Sequence, residues 1–163
     1  MNSIRSWIRC CLVPALLCSC AGGGEKGAVR SETQSQATTR LERGIRAQNK
    51  GETGLAEKNL TEALVISSSI EDNPARINAL VNLARLNRLN HKPESATLHI
   101  DQALSLARDL PDFVAEAAYE KALIELSQSH FREALTWATS SLAAAGGETK
   151  GRCLNLLARI HRA

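Results

Sequence analysis

From residue 40 to the C-terminus, apolar and small residues recur with a helical period, and one arrangement returns three times. The segments GLAEKNLTEAL (54–64), ESATLHIDQAL (94–104) and REALTWATSSL (132–142) align on Ala56, Ala96 and Ala134. Four residues on come Leu60, Ile100 and Ala138, and four further Leu64, Leu104 and Leu142. An apolar residue every fourth position keeps one stripe of a helix turned toward a neighbour. Twelve residues before each Ala stands another small residue, Gly44, Ala84 and Ala122, and Ala158 continues that series at spacings of 40, 38 and 36. Small residues at fixed places on two successive helices imply close helix–helix approach.

The breaks between periodic stretches are polar or carry Gly and Pro: NKGE at 49–52, EDNP at 71–74, NHKP at 90–93, DLPD at 109–112, QSH at 128–130 and GGETKG at 146–151. Pro74 and Pro93 suit first-turn positions, and Gly146 or Gly147 suits a helix C-terminus. The pattern predicts seven helices near 40–50, 53–70, 74–90, 93–109, 112–128, 131–145 and 149–162. In the last of these, Leu154, Leu157 and Ile160 are expected to cover the third unit, with Arg152, Arg159 and Arg162 facing water.

The first forty residues read differently. Residues 1–9 carry Arg5 and Arg9 and no acid, residues 10–17 (CCLVPALL) are apolar, and small residues follow. That is the layout of a secretory signal peptide, predicted over residues 1–19. The apolar run is far shorter than the ~20 residues of a spanning helix. Residues 21–39 are rich in Gly, Ser, Thr and Gln and are expected to form, with Cys20, a flexible tether reaching roughly 25 Å.

Composition supports an all-α domain of 163 residues at most: 44% hydrophobic and 23% charged, but only 3% aromatic, with Ala and Leu where a β-sandwich needs Val, Ile and aromatics. Net charge is +3. Without the two leader arginines the remainder carries +1, so nucleic acid is not the expected partner. Four of five cysteines (Cys10, Cys11, Cys18, Cys20) lie in the first twenty residues and Cys153 stands alone, which is neither a disulfide framework nor a zinc site.

Leu17-Cys18-Ser19-Cys20 resembles the box of bacterial lipoprotein signals: Leu, two small residues, then Cys. The resemblance implies diacylglyceryl transfer to the sulfur of Cys20, cleavage before it and further acylation, with palmitate as a typical chain. Ala21 in place of the retention Asp implies an outer-membrane lipoprotein facing the periplasm. Acyl chains contributing roughly 0.8 kcal/mol per methylene then anchor the protein without a membrane span.

The repeat resembles the tetratricopeptide (TPR) family, whose helix–turn–helix unit is about 34 residues. Residues 79–104 carry it best: Leu83-Ala84 match the first helix and Ala96, Ile100 and Ala103 the second. Gly44, Gly51, Ala56 and Ala63 fit in the first unit. The third departs, with Lys121 where Leu is expected and Ser141 in place of the second Ala. The resemblance implies an all-α, TPR-like right-handed array of helical hairpins over residues 40–163, about three repeats plus a C-terminal capping helix; a truncated fourth repeat is the rival reading.

In that family the first helices line a concave groove. Carried over position by position, the groove residues are Asn78, Val81, Asn82, Arg85 and Arg88, then Glu116, Tyr119, Glu120 and Leu123, then Asn155 and Arg159. The Asn82 amide can bond an extended peptide backbone, and Arg85 and Arg159 can grip a carboxylate. Equally, Arg85 and Arg88 can pair with Glu116 and Glu120. The carboxylate clamp of chaperone adaptors does not carry over, because Leu41, Ile45, Glu116 and Glu120 occupy its places and Asn82 alone survives. Trp137, on a second helix, either anchors an interface or lies half-buried along its own helix.

No catalytic or metal signature appears among His91, His99, His130 and His161, and Cys153 is expected to pack under the last helix. The reading is of a non-enzymatic, membrane-anchored periplasmic adaptor or scaffold for a protein partner, with no cofactor, serving protein–protein interaction in envelope assembly. Two alternatives stay open: an accessory binder of small envelope ligands such as peptidoglycan fragments, and a cytosolic TPR regulator with a misassigned leader.

Overall fold

The computed structural model describes residues 23–162. The expected signal peptide over 1–19 and the lipidated Cys20 therefore lie outside the described residues. Seven helices follow one another: α1 (Gly23–Asn49), α2 (Thr53–Ser69), α3 (Asn73–Leu89), α4 (Pro93–Leu106), α5 (Pro111–Ser127), α6 (Phe131–Ala144) and α7 (Gly147–Ile160). Among the described residues there is no strand, and no helix is long and apolar enough to cross a membrane.

The helices fold back on each other because the same turn is used four times. Gly51, Glu71, His91 and Ser129 each take a positive φ, between 55° and 76°. The next N–H then reaches back five residues to a helical carbonyl: Glu52 to Ala47, Asp72 to Ser67, Lys92 to Asn87 and His130 to Glu125, at 2.9–3.0 Å. This is the Schellman termination, which satisfies carbonyls that the helix end leaves free. Asp72 adds a cap, accepting from the Ala75 N–H at 3.1 Å, and Pro74, Pro93 and Pro111 occupy first-turn positions where no N–H is needed.

Hairpins α1–α2, α3–α4 and α5–α6 stack in order, and α7 closes on the third. Successive first helices touch (α1–α3, α3–α5, α5–α7), whereas α2, α4 and α6 do not touch one another. Helices that approach on one side and splay on the other make a curved array with α1, α3, α5 and α7 on its inner side. The aligned small residues build its core. Ala56, Ala84, Ala96, Ala122, Ala134 and Ala138 are fully buried with Leu60 and Ile100, and a Cβ built on Gly44 would sit 2.7 Å from Leu60 Cγ and Cδ2.

Two expectations are corrected. The segment expected to be tether is helical from Gly23, ten residues beyond the length of α2. Its outer turns are held, since Ala37 is 1% exposed and Gln34 Nε2 donates to Asp72 Oδ2 at 2.8 Å. Extending an existing helix costs far less than nucleating one, so few apolar residues suffice there. In α7 the buried stripe is Cys153, Leu156 and Ile160, while Leu154 is 52% exposed and Ala158 is exposed. Leu154 and Ala158 keep the register of Leu80 and Ala84, which face the second helix of their own hairpin. No described helix follows α7, so that face stays open.

Candidate functional site

The inner face of α3, α5 and α7 is built from positions counted back and forward from Ala84, Ala122 and Ala158. Val81 is buried and Asn78 half-buried. Asn82 is 9% exposed; its Nδ2 donates to the Asn78 carbonyl at 2.8 Å and its Oδ1 lies 3.5 Å from an Arg85 Nη1. The expected docking amide thus has a donor and its acceptor engaged within α3.

The charged residues of this face form a continuous ladder. Arg88 Nε donates to Glu120 Oε1 at 2.6 Å, and Arg85 Nε to Glu120 Oε2 at 3.1 Å. Arg85 Nη2 reaches Glu116 Oε1 at 2.8 Å. Arg152 then grips both oxygens of Glu116, at 3.0 and 3.2 Å, and its guanidinium stands 4.3 Å from the Tyr119 ring centroid, a forked pair with a cation–π contact. Burial lowers the Arg152 pKa, but Glu116 and Tyr119 outweigh it and the net shift is upward. Of the two alternatives, Arg85 and Arg88 take the pairing with Glu116 and Glu120. The Glu120 side chain is fully buried, while Arg85, Glu116 and Arg152 remain about a third exposed. Beyond them, Asn155 and Arg159 are exposed and Leu123 packs partly on the third core cluster.

Arg152, expected in water, is a groove residue. The sequence held the signal: it stands six before Ala158, as Asn78 stands before Ala84 and Glu116 before Ala122.

Other singled-out residues take structural places. Lys121 is 7% exposed and bonds Asp101 at 3.0 Å and Glu125 at 3.2 Å, which explains how it stands where Leu is expected. Glu125 also meets His130 Nδ1 at 2.9 Å. Burial raises the Glu125 pKa, but the bonds from His130 and Lys121 prevail and hold it below the usual carboxylate value. Cys153 is fully buried, its Sγ 3.0 Å from Ser141 Oγ, which donates to the Ala115 carbonyl at 2.6 Å. The departure to Ser141 thus ties α6 to α5 and contacts α7. His99 Nδ1 lies 2.8 Å from the Ser95 carbonyl, while His91 and His161 are exposed. No group of side chains among the described residues is arranged to hold a metal ion. Trp137 lies half-buried against the third core cluster.

No family model matches the chain, and no curated protein matches it in sequence. Among solved structures, it is similar to the C-terminal TPR-containing domain of a Plasmodium falciparum protein assigned as an FK506-binding protein. The TM-score is 0.56 and the identity 18%, over 82% of this chain and 96% of that one. At that identity the likeness concerns fold alone. With seven helices, four repeated turns and stacked hairpins touching through their first helices, the chain is an all-α, TPR-like array of helical hairpins.

Proposed function

We propose that the protein is a lipid-anchored adaptor of a bacterial envelope, acting by binding rather than catalysis, and that it holds a protein partner along the inner face of α3, α5 and α7. The observation that carries this is the alignment of those helices side by side, with Arg85, Glu116 and Arg152 still a third open to solvent. The ladder fixes the curvature of the face and leaves polar edges to bond. Exposed Asn155 and Arg159 extend it with an amide and a guanidinium, suited to a peptide carrying a carboxylate. The Leu17–Cys20 box supports the anchor, and Ala21 supports a periplasm-facing outer-membrane location.

Two measurements test the proposal. Palmitate label is expected in the wild type and absent in Cys20→Ala; an unlabelled wild type overturns the anchor. In-cell photocrosslinking from position 155 is expected to capture a discrete protein, lost with Arg159→Glu. An unchanged capture pattern in that variant overturns the groove.

A further inference from the structure

The outermost face of the array carries a charge pattern that the groove does not use. Between α1 and α2 lies an open cleft of about 320 Å³ whose floor includes Ala47 and the half-exposed Leu55. Arg40, Arg43, Arg46, Lys50 and Lys58 line it, against the single carboxylate of Glu52. Arg40 is held by Glu62 at 3.0 Å, and Arg46 stands 3.8 Å from Glu42, both well exposed. Arg43, Lys50 and Lys58 have no ion-pair partner among the described residues, unlike the arginines of the ladder.

Arg43 and Arg46 keep the register of Leu83 and Leu86 in α3, which are buried against the hairpin before them. No hairpin precedes α1 among the described residues, so a polar edge is required there. Acids or amides satisfy that requirement equally well, yet the cleft is cationic in a chain that carries +1 beyond its leader. Cations rimming a small apolar floor complement a surface of phosphates laid over acyl chains.

We propose that this cleft is a second membrane contact, seating the anionic phosphate headgroups of the bilayer that holds the anchor. The inference rests on the anchor reading for its geometry: α1 begins at Gly23, three residues after Cys20. At 1.5 Å per residue, Arg43 and Arg46 lie roughly 30–35 Å along α1 from that start, so the contact requires α1 to lie along the bilayer. Arg43 and Ile45 are about 200° apart on the helix. With the basic face down, the inner face of the array is turned away from the lipid and toward a partner.

The test is co-sedimentation of the full chain with phosphatidylcholine vesicles, with and without phosphatidylglycerol, comparing wild type, R43E/R46E/K58E, and the control K92E/R108E/R132E. The leader and any acyl chain are common to all three, so differences report the cleft, and failed palmitate labelling leaves this readout intact. At about 1 kcal/mol per basic group near an anionic surface, the first triple variant is expected to lose at least about tenfold in affinity for the phosphatidylglycerol vesicles. The control is expected to keep wild-type affinity, and both proteins to keep a helical circular-dichroism spectrum. The neutral variant R43Q/R46Q/K58Q should fall between. Equal binding by wild type and R43E/R46E/K58E overturns the proposal. So does release of the wild type by inorganic phosphate beyond that by chloride at equal ionic strength, which would assign the cleft to a free phosphate.

Discussion

Arg88 donates from Nε to Glu120 Oε1 at 2.6 Å, joining α3 to α5 through a carboxylate side chain with no exposure to solvent. The second oxygen of Glu120 is taken by Arg85, so this acid gathers both arginines of α3 and, beside the Arg85–Glu116 pair, fastens the second unit to the third on their inner side.

Removing that acid leaves Arg88 without its carboxylate and Arg85 with Glu116 alone, at 2.8 Å. Because both arginines keep some solvent access, water recovers part of the loss. Glu120→Gln is expected to lower unfolding stability by about 2 kcal/mol, measured by urea denaturation. A double-mutant cycle with Arg88→Met is expected to show coupling of about 1 kcal/mol or more.

Gly44 meets Leu60 where a methyl group has no room, with Leu60 Cγ and Cδ2 at 2.7 Å and its backbone nitrogen at 3.2 Å from a built Cβ. Ala is the better helix former by about 1 kcal/mol, so an uncrowded site gains from Gly→Ala. Here Leu60 is fully buried and the hairpin must open instead. Gly44→Ala is expected to destabilise by about 1–2 kcal/mol net, read as a lower thermal midpoint.

The parts of the fold that were legible in the sequence depend on periodicity and breakers. Ala56, Ala96 and Ala134 align in the sequence and are all fully buried, because a small residue at a helix crossing cannot be exchanged for a larger one without separating the helices. The helix ends follow Pro93, Gly51 and the polar breaks for similar local reasons. What was not legible depends on neighbours. Arg152 is polar and lies on a final helix, so its side chain reads as solvated until α5 is seen to bring Glu116 and Tyr119 beside it. Residues 31–39 are poor in apolar side chains, and their helix stands on the turns that follow, on buried Ala37 and on the long-range bond of Gln34 to Asp72. In the groove, the resemblance to the TPR family selected the face, but it left open whether Arg85 and Arg88 bond a partner or the acids of α5.

His91 and Ser129 adopt positive φ values of 55° and 63° in otherwise regular Schellman turns, where Gly51 supplies a glycine in the equivalent place. A side chain in that conformation is strained, and glycine relieves it at some cost in unfolded-state entropy. His91→Gly and Ser129→Gly are each expected to stabilise by about 0.5–1 kcal/mol; because His91 and Gln128 line one cleft, the double variant is expected to depart from the sum of the singles by about 0.5 kcal/mol or more. Differential scanning calorimetry of the singles and the double checks both statements.

Glu125 titrates below the ordinary carboxylate range because the His130 and Lys121 bonds outweigh its burial. A carboxylate whose folded pKa is depressed stabilises the fold above its unfolded pKa of about 4.3, and that contribution is lost as the pH falls through the folded value. Wild type is therefore expected to lose stability more steeply than Glu125→Gln once the pH drops below about 5, with the variant already weaker at neutral pH. Urea midpoints across that range give the comparison, and parallel slopes would remove Glu125 from the account.

Leu154 and Leu156 sit two residues apart on α7 with opposite fates, 52% and 1% exposed. Leu156 packs in the third core cluster with Ala122, Ala134, Ala138 and Ile160. Leu154 keeps the register that in α3 and α5 faces the next helix, and no described helix follows it. Truncating Leu156 to Ala leaves a cavity and is expected to cost about 3 kcal/mol, whereas Leu154→Gln is expected to change stability by less than about 0.5 kcal/mol. Equal losses would mean that the face of α7 carrying Leu154 and Ala158 is covered in solution. A helix or a second molecule would then lie where the array shows an open edge, and the assignment of α7 as the cap would give way to that of a half-filled repeat.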